Sequence, residues 1–153
     1  MIRKFFKKKS KDHKKYDPDL ITKFHEDHKK LLKLYGDILE SYDSKNQEKL
    51  YGYVKKLKTF FIYHLYEEDQ KLYSFLAKNK ESDKINEEVF QEMHTEISVI
   101  KEVVLKFLKE YNNILDEMPG PKFKEDFEKI GVVLVHRIDL EEEILYSMYS
   151  KDH

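Results

Sequence analysis

The sequence predicts an all-α protein, an up-down-up-down four-helix bundle with a basic N-terminal tail, and three observations carry that reading. The 153 residues suit one domain, at roughly 100–200 residues per domain. Four Gly and three Pro in a chain that is 39% charged and 40% apolar make a composition poor in turn formers and rich in helix formers. Sandwiches, barrels and doubly wound sheets are thereby disfavoured. Apolar residues also recur at steps of three and four in four stretches separated by short breaks, the spacing of one buried helix face.

The tail comes first, over residues 1–16, and the bundle is expected over 17–150. The first fifteen residues hold eight Lys/Arg against Asp12, so they carry +7 in a chain whose net charge is −1. A solvated terminus is the plain reading, with Ile2, Phe5 and Phe6 offering a small apolar face to an anionic surface. Arg3 and Arg137 are the only arginines. Reading phosphates or guanines in bidentate fashion would call for more, so no nucleic-acid partner is expected.

Asp17-Pro18 reads as a cap and a first-turn proline, opening a helix through Ile21, Phe24, Leu31, Tyr35, Ile38 and Tyr42. Asp43-Ser44-Lys45-Asn46 breaks the pattern. A second helix then runs through Leu50, Val54, Leu57, Phe61, Leu72 and Phe75 to about Asn79. Ser82 is the expected cap of a third, which continues through Phe90, Ile97, Val104, Leu108, Tyr111 and Leu115 until Pro119-Gly120-Pro121. The fourth spans about Phe123 to Met148 by way of Phe127, Ile130, Val133, Leu140 and Ile144.

Within these stripes stand His28, His64, His94 and His136, one per helix. A single such histidine would usually be a hydrogen-bonded core residue, but four buried imidazoles would leave several nitrogens without partners, at about 1–3 kcal/mol each. One kind of group, a bound cation, satisfies them together. Glu68 follows His64 by four residues, about 40° round the helix, so the two can reach one point, with Glu67 a poorer substitute. Glu141 follows His136 by five, about 140° round, which suits a bridge to a second ion better than chelation of one. The chain has no Cys, so thiolate metal sites, disulfides and a cysteine nucleophile are excluded. No Glu stands three residues before a His, which removes the ferritin-like pattern. No run of about 18 apolar residues and no leader pattern is present, so a cytoplasmic protein without a transmembrane segment is expected.

The stretch from Glu26-Asp27-His28 to Leu32, the HxxxE of His64 and Glu68, Met93-His94, and the HxxxxE of His136 and Glu141 resemble the hemerythrins and the wider hemerythrin-like HHE cation-binding domains, over about residues 17–148. The resemblance implies a four-helix bundle around two iron ions joined by an oxo or hydroxo bridge, with manganese or zinc as substitutes. It implies His28 and His64 on one iron, His94 and His136 on the other, and Glu68 and Glu141 bridging. Oxygen carriers of this type add a fifth histidine on the third helix, where this chain has Phe90 and Ser98 four residues either side of His94. His25 is the one candidate to replace it. The implied function is binding or sensing of O2, NO or peroxide, with an oxidase- or peroxidase-type side activity left open; a metal-dependent regulatory module and an iron-centre repair protein are the alternatives.

Overall fold

The computed structural model describes residues 16–79, 85–111, 114 and 116–149. The basic tail, apart from Tyr16, and the expected cap Ser82 lie outside them. Helix α1 covers Leu20–Asp43, α2 Gln47–Glu67, α3 Ser74–Lys78, α4 Glu87–Glu110 and α5 Pro121–Leu140. A π-helical segment, Glu68–Tyr73, joins α2 to α3 in one continuous rod, and a second, Glu141–Leu145, extends α5 before a short 3-10 turn over Tyr146–Met148. Four rods result. The first packs on the second and fourth, and the third likewise packs on the second and fourth, which is the ring order of an up-down-up-down bundle.

The starts of the helices follow local chemistry. Asn46 and Asn86, both extended, accept hydrogen bonds at 3.1 Å from the backbone amides of Lys49 and Val89, capping α2 and α4. Pro121 takes the first position of α5 behind Gly120. Asp17-Pro18 stands just ahead of α1 rather than within it: Asp17 accepts from the Asp19 amide at 2.9 Å in a turn, and the helix begins at Leu20. Helix α4 ends at Glu110, well before the Pro-Gly-Pro break that closes the apolar stripe in the sequence.

The interior divides into two apolar clusters. One, at the end holding the α1–α2 connection, gathers Leu31, Ile38, Leu50, Leu57, Phe61, Phe107, Phe123, Phe127 and Leu134 among others. The other, at the opposite end, gathers Leu20, Phe24, Leu72, Phe75, Phe90, Met93, Ile97 and Leu145. Between Phe24 and Leu31 on the first rod, and at the corresponding level of the second and fourth, lies a set of buried polar residues, His28, His64, Glu67, Glu68, Arg137 and Glu141, beside the apolar Leu65 and Ile138.

Candidate metal centre

Each polar residue of this layer sits where helix geometry aims it inward. His28 follows Phe24 by four residues and precedes Leu31 by three on α1, and His64 follows Phe61 by three on α2, so both stay on the buried stripe. Arg137 and Glu141 continue the stripe of Ile130 and Leu134 on the fourth rod. His28, His64, Glu68, Arg137 and Glu141 are between 0 and 4% exposed. Glu68 and Glu141 each open a π-helical segment. Such widened turns occur often at functional sites, where the extra residue shifts the phase of the helix downstream of it.

One ligand atom each from His28, His64, Glu68 and Glu141 lies within 4.8 Å of the other three. His28 Nε2 is 3.1 Å from Glu141 Oε1, and His64 Nε2 is 3.3 Å from Glu68 Oε2. Donor atoms bonded at about 2.1 Å to one ion stand about 3 Å apart when adjacent in an octahedron, so this spacing fits a first coordination shell. Among the described residues, His64 Nε2 and both Glu141 oxygens make no hydrogen bond. Lone-pair atoms facing one another in a buried site need a proton or a metal ion between them.

The outer nitrogens of both imidazoles are committed elsewhere. His28 Nδ1 pairs with Glu142 Oε2 at 2.7 Å, and His64 Nδ1 with Asp27 Oδ2 at 2.9 Å. Each carboxylate holds the proton on Nδ1 and leaves Nε2 as the inward donor, the arrangement found behind metal-ligating histidines. Lys23 ties down this outer ring by pairing with Asp27 at 3.3 Å and with Glu67, which Lys71 also holds at 3.0 Å. The Tyr146 hydroxyl donates to Glu68 Oε2 at 2.9 Å and lies 3.3 Å from His28 Nε2. Burial, aided by the charges of Glu68 and Glu141, pushes the Tyr146 phenol well up and keeps it a donor.

Electrostatics show how strongly the layer calls for positive charge. Burial favours the neutral form of Glu68, yet the neighbouring His64, 3.3 Å away, and the charge of Arg137 hold it well below the usual carboxylate range. Burial and then the like charge of Glu68 drive Glu141 well above its own. Two carboxylates so close cannot both ionise without a counter-charge. Burial would lower His64, but the Glu68 carboxylate 3.3 Å away, the bond to Asp27 and the charge of Glu141 outweigh that and raise it. In Arg137 too, burial opposes the charge while Glu141 and Glu68 more than restore it, pushing the pKa up.

Of the six residues expected as ligands, the structure brings together His28, His64, Glu68 and Glu141, and it does not bring His94 or His136 to them. Both lie on exposed faces. His136 stands two residues past buried Leu134, about 200° round the helix, and its Nε2 meets Glu96 at 2.6 Å on the outside. His94 follows buried Met93 by one residue, about 100° round, and its ring lies against Tyr73 and Phe90, centroids 4.7 and 5.9 Å away. Phe90 is buried in the apolar cluster. His25 is half-exposed and pairs with Glu142 at 3.2 Å, outside the donor group, and Asp139 is exposed. Sequence reasoning missed Asp27, Arg137, Glu142 and Tyr146. A signal for Arg137 was present, since Arg137 and Glu141 repeat the four-residue spacing of His64 and Glu68.

Fold and site thus define a four-helix bundle with a buried His–carboxylate group of the kind that holds a cation. The model of the hemerythrin HHE cation-binding domain matches residues 19–149, and the chain belongs to that family. No curated protein and no solved structure matches the chain. Among the described residues no helix is long and apolar enough to cross a membrane.

Proposed function

We propose that this chain is a non-haem iron protein of hemerythrin type that binds a small ligand, O2 or NO, at iron held by His28, His64, Glu68 and Glu141. The observation that carries the reading is the convergence of two imidazole Nε2 atoms and two carboxylates in one buried place, with His64 Nε2 and the Glu141 oxygens lacking hydrogen bonds. Imidazole with carboxylate suits iron, with manganese next and zinc a poorer match for so many donors. Bound iron supplies reversible redox chemistry and affinity for diatomic ligands.

The chain supplies the rest. Asp27 and Glu142 fix the imidazole tautomers, Tyr146 donates to Glu68, and Phe24, whose ring meets His64 edge-on at 5.3 Å, helps keep water from the donors. The phenol of Tyr73 is buried, has no hydrogen-bond partner among the described residues, and feels the charges of Glu141 and Glu68. It is the donor left free for a small ligand.

Iron content tests this, measured on protein produced in iron-supplemented medium, together with the absorption change on adding NO to the reduced protein. His64→Ala and Glu68→Ala should lose most of the iron and the NO signal while His25→Ala keeps both. Equal iron in all three variants, or none in the parent, sinks the assignment.

A further inference from the structure

The pair of bridging carboxylates does not face two sets of histidines. It faces one set and an arginine. Glu68 turns Oε2 toward His64, at 3.3 Å, and Oε1 toward Arg137 Nη2, at 2.8 Å. Glu141 divides in the same way, with Oε1 3.1 Å from His28 Nε2 and Oε2 3.3 Å from the same Arg137 Nη2. One guanidinium nitrogen therefore sits between one oxygen of each carboxylate, on the side away from the histidines. A cation shared by two bridging carboxylates would sit there.

The rods repeat this relation. His64 precedes Glu68 by four residues and Arg137 precedes Glu141 by four, and each glutamate opens a π-helical segment. The second half of the layer has the frame of the first, with Arg in place of His. The third rod adds no replacement donor: Phe90, Met93 and Ile97 are its buried residues at this level, and its contact with the centre is the Ile97 carbonyl, which accepts from Arg137 Nη1 at 3.3 Å. The Phe61 ring packs 6.0 Å from the guanidinium carbon. An arginine is permanently charged and offers no lone pair to a metal.

We propose that the Arg137 guanidinium fills the second cation position of this centre, so that Glu68 and Glu141 bridge a single metal ion to a fixed organic cation and the protein binds one ion per chain. This rests on the reading that His28, His64, Glu68 and Glu141 hold a metal. The charge is consistent with it: two carboxylates against one guanidinium leave a single negative charge, which one divalent ion overcomes, whereas a second ion would have to enter beside a buried cation that cannot lose its proton. A guanidinium neither changes oxidation state nor opens a coordination position. Ligand chemistry is confined to one ion, a design for holding or sensing a small molecule with one metal centre.

Mn(II) serves as the probe, because isolated Mn(II) gives a six-line paramagnetic resonance spectrum that magnetic coupling to a second ion alters. Full-length protein is dialysed to equilibrium against Mn(II), metal per chain is counted, and the spectrum is recorded for the parent, Arg137→Lys, Arg137→His and His64→Ala, each checked for helical content. The parent and Arg137→Lys should hold one ion with the isolated spectrum. Arg137→His, which restores the His64–Glu68 pattern on the fourth rod, should rise to two ions with a coupled spectrum. Two ions in the parent, or one ion in a folded Arg137→His, overturns the proposal for Arg137 while leaving the four-donor site standing. No binding in the parent, or parent-like binding in His64→Ala, overturns the site itself and the proposal with it.

Discussion

At the end of the bundle that holds the α1–α2 connection the helices are regular and the interior is rings and branched chains: Phe127 stacks on Tyr35 at 4.5 Å, and Phe107 and Phe123 lie 5.6 Å from it. Beyond Leu134 and Phe61 the same rods bury two imidazoles, three carboxylates and a guanidinium, and two of them widen into π turns. The first region is stabilised by removing apolar surface from water. The second works against that, since each buried charge loses hydration worth several kcal/mol and recovers it only through partners or a bound cation. Stability and site are therefore held in separate layers of one bundle, and substitutions should separate them too.

The largest expected effect is in the apolar layer. Phe127 is fully buried, and Phe127→Ala leaves a cavity that surrounding rings cannot refill, so it should cost about 3–5 kcal/mol of folding free energy. Urea unfolding of metal-loaded protein measures that. The number of Mn(II) ions bound at saturation should not change; if it falls, the two layers are coupled and the comparison fails.

The next effect belongs to the polar layer and should spare the other. Asp27→Asn removes the charge that holds the proton on His64 Nδ1, and loss of such an outer partner typically weakens metal binding about 10–100-fold. Asp126→Asn is the matched change at the far end, where Asp126 accepts from Lys122 at 2.7 Å and from the Tyr111 hydroxyl at 3.1 Å. It should leave Mn(II) affinity unaltered. Equal weakening in both variants points to a general loss of structure instead of a role for Asp27.

Periodicity made the apolar layer legible. Phe24, Leu31, Ile38, Leu57, Phe61 and Phe127 recur at helical steps, and the structure buries all of them. His28, His64 and Glu68 were legible because they occupy the same stripes. The fourth rod misled because His136 stands in register with Val133 and Leu140, which are only half-buried, whereas the inward residues are Leu134, Arg137, Ile138 and Glu141. Counting by four from Ile130 and Leu134 reaches Ile138, and counting by three from Leu134 reaches Arg137. An arginine is not expected on a buried face, since its charge is tolerated there only when partners are present, and those partners, Glu68 and Glu141, come from two different rods. The π turns were not legible either, because a widened turn has no residue signature of its own.

The smallest expected effect concerns Tyr73, and it bears most directly on what the polar layer is for. Burial and the charges of Glu141 and Glu68 push its phenol well up, so it keeps its proton, yet the hydroxyl makes no hydrogen bond within the described protein. An unsatisfied buried hydroxyl costs about 1–3 kcal/mol, so if nothing else is at stake Tyr73→Phe should make the protein more stable by a part of that. A hydroxyl kept at such a cost is explained if it donates to a small ligand at the centre. Tyr73→Phe should then raise the urea midpoint slightly and leave Mn(II) binding as it is, while the reduced iron protein releases NO faster, by several-fold, when a scavenger is added. A variant that is more stable and releases NO at the parent rate would make the hydroxyl a tolerated defect. The centre would then have to hold its ligand with the metal alone.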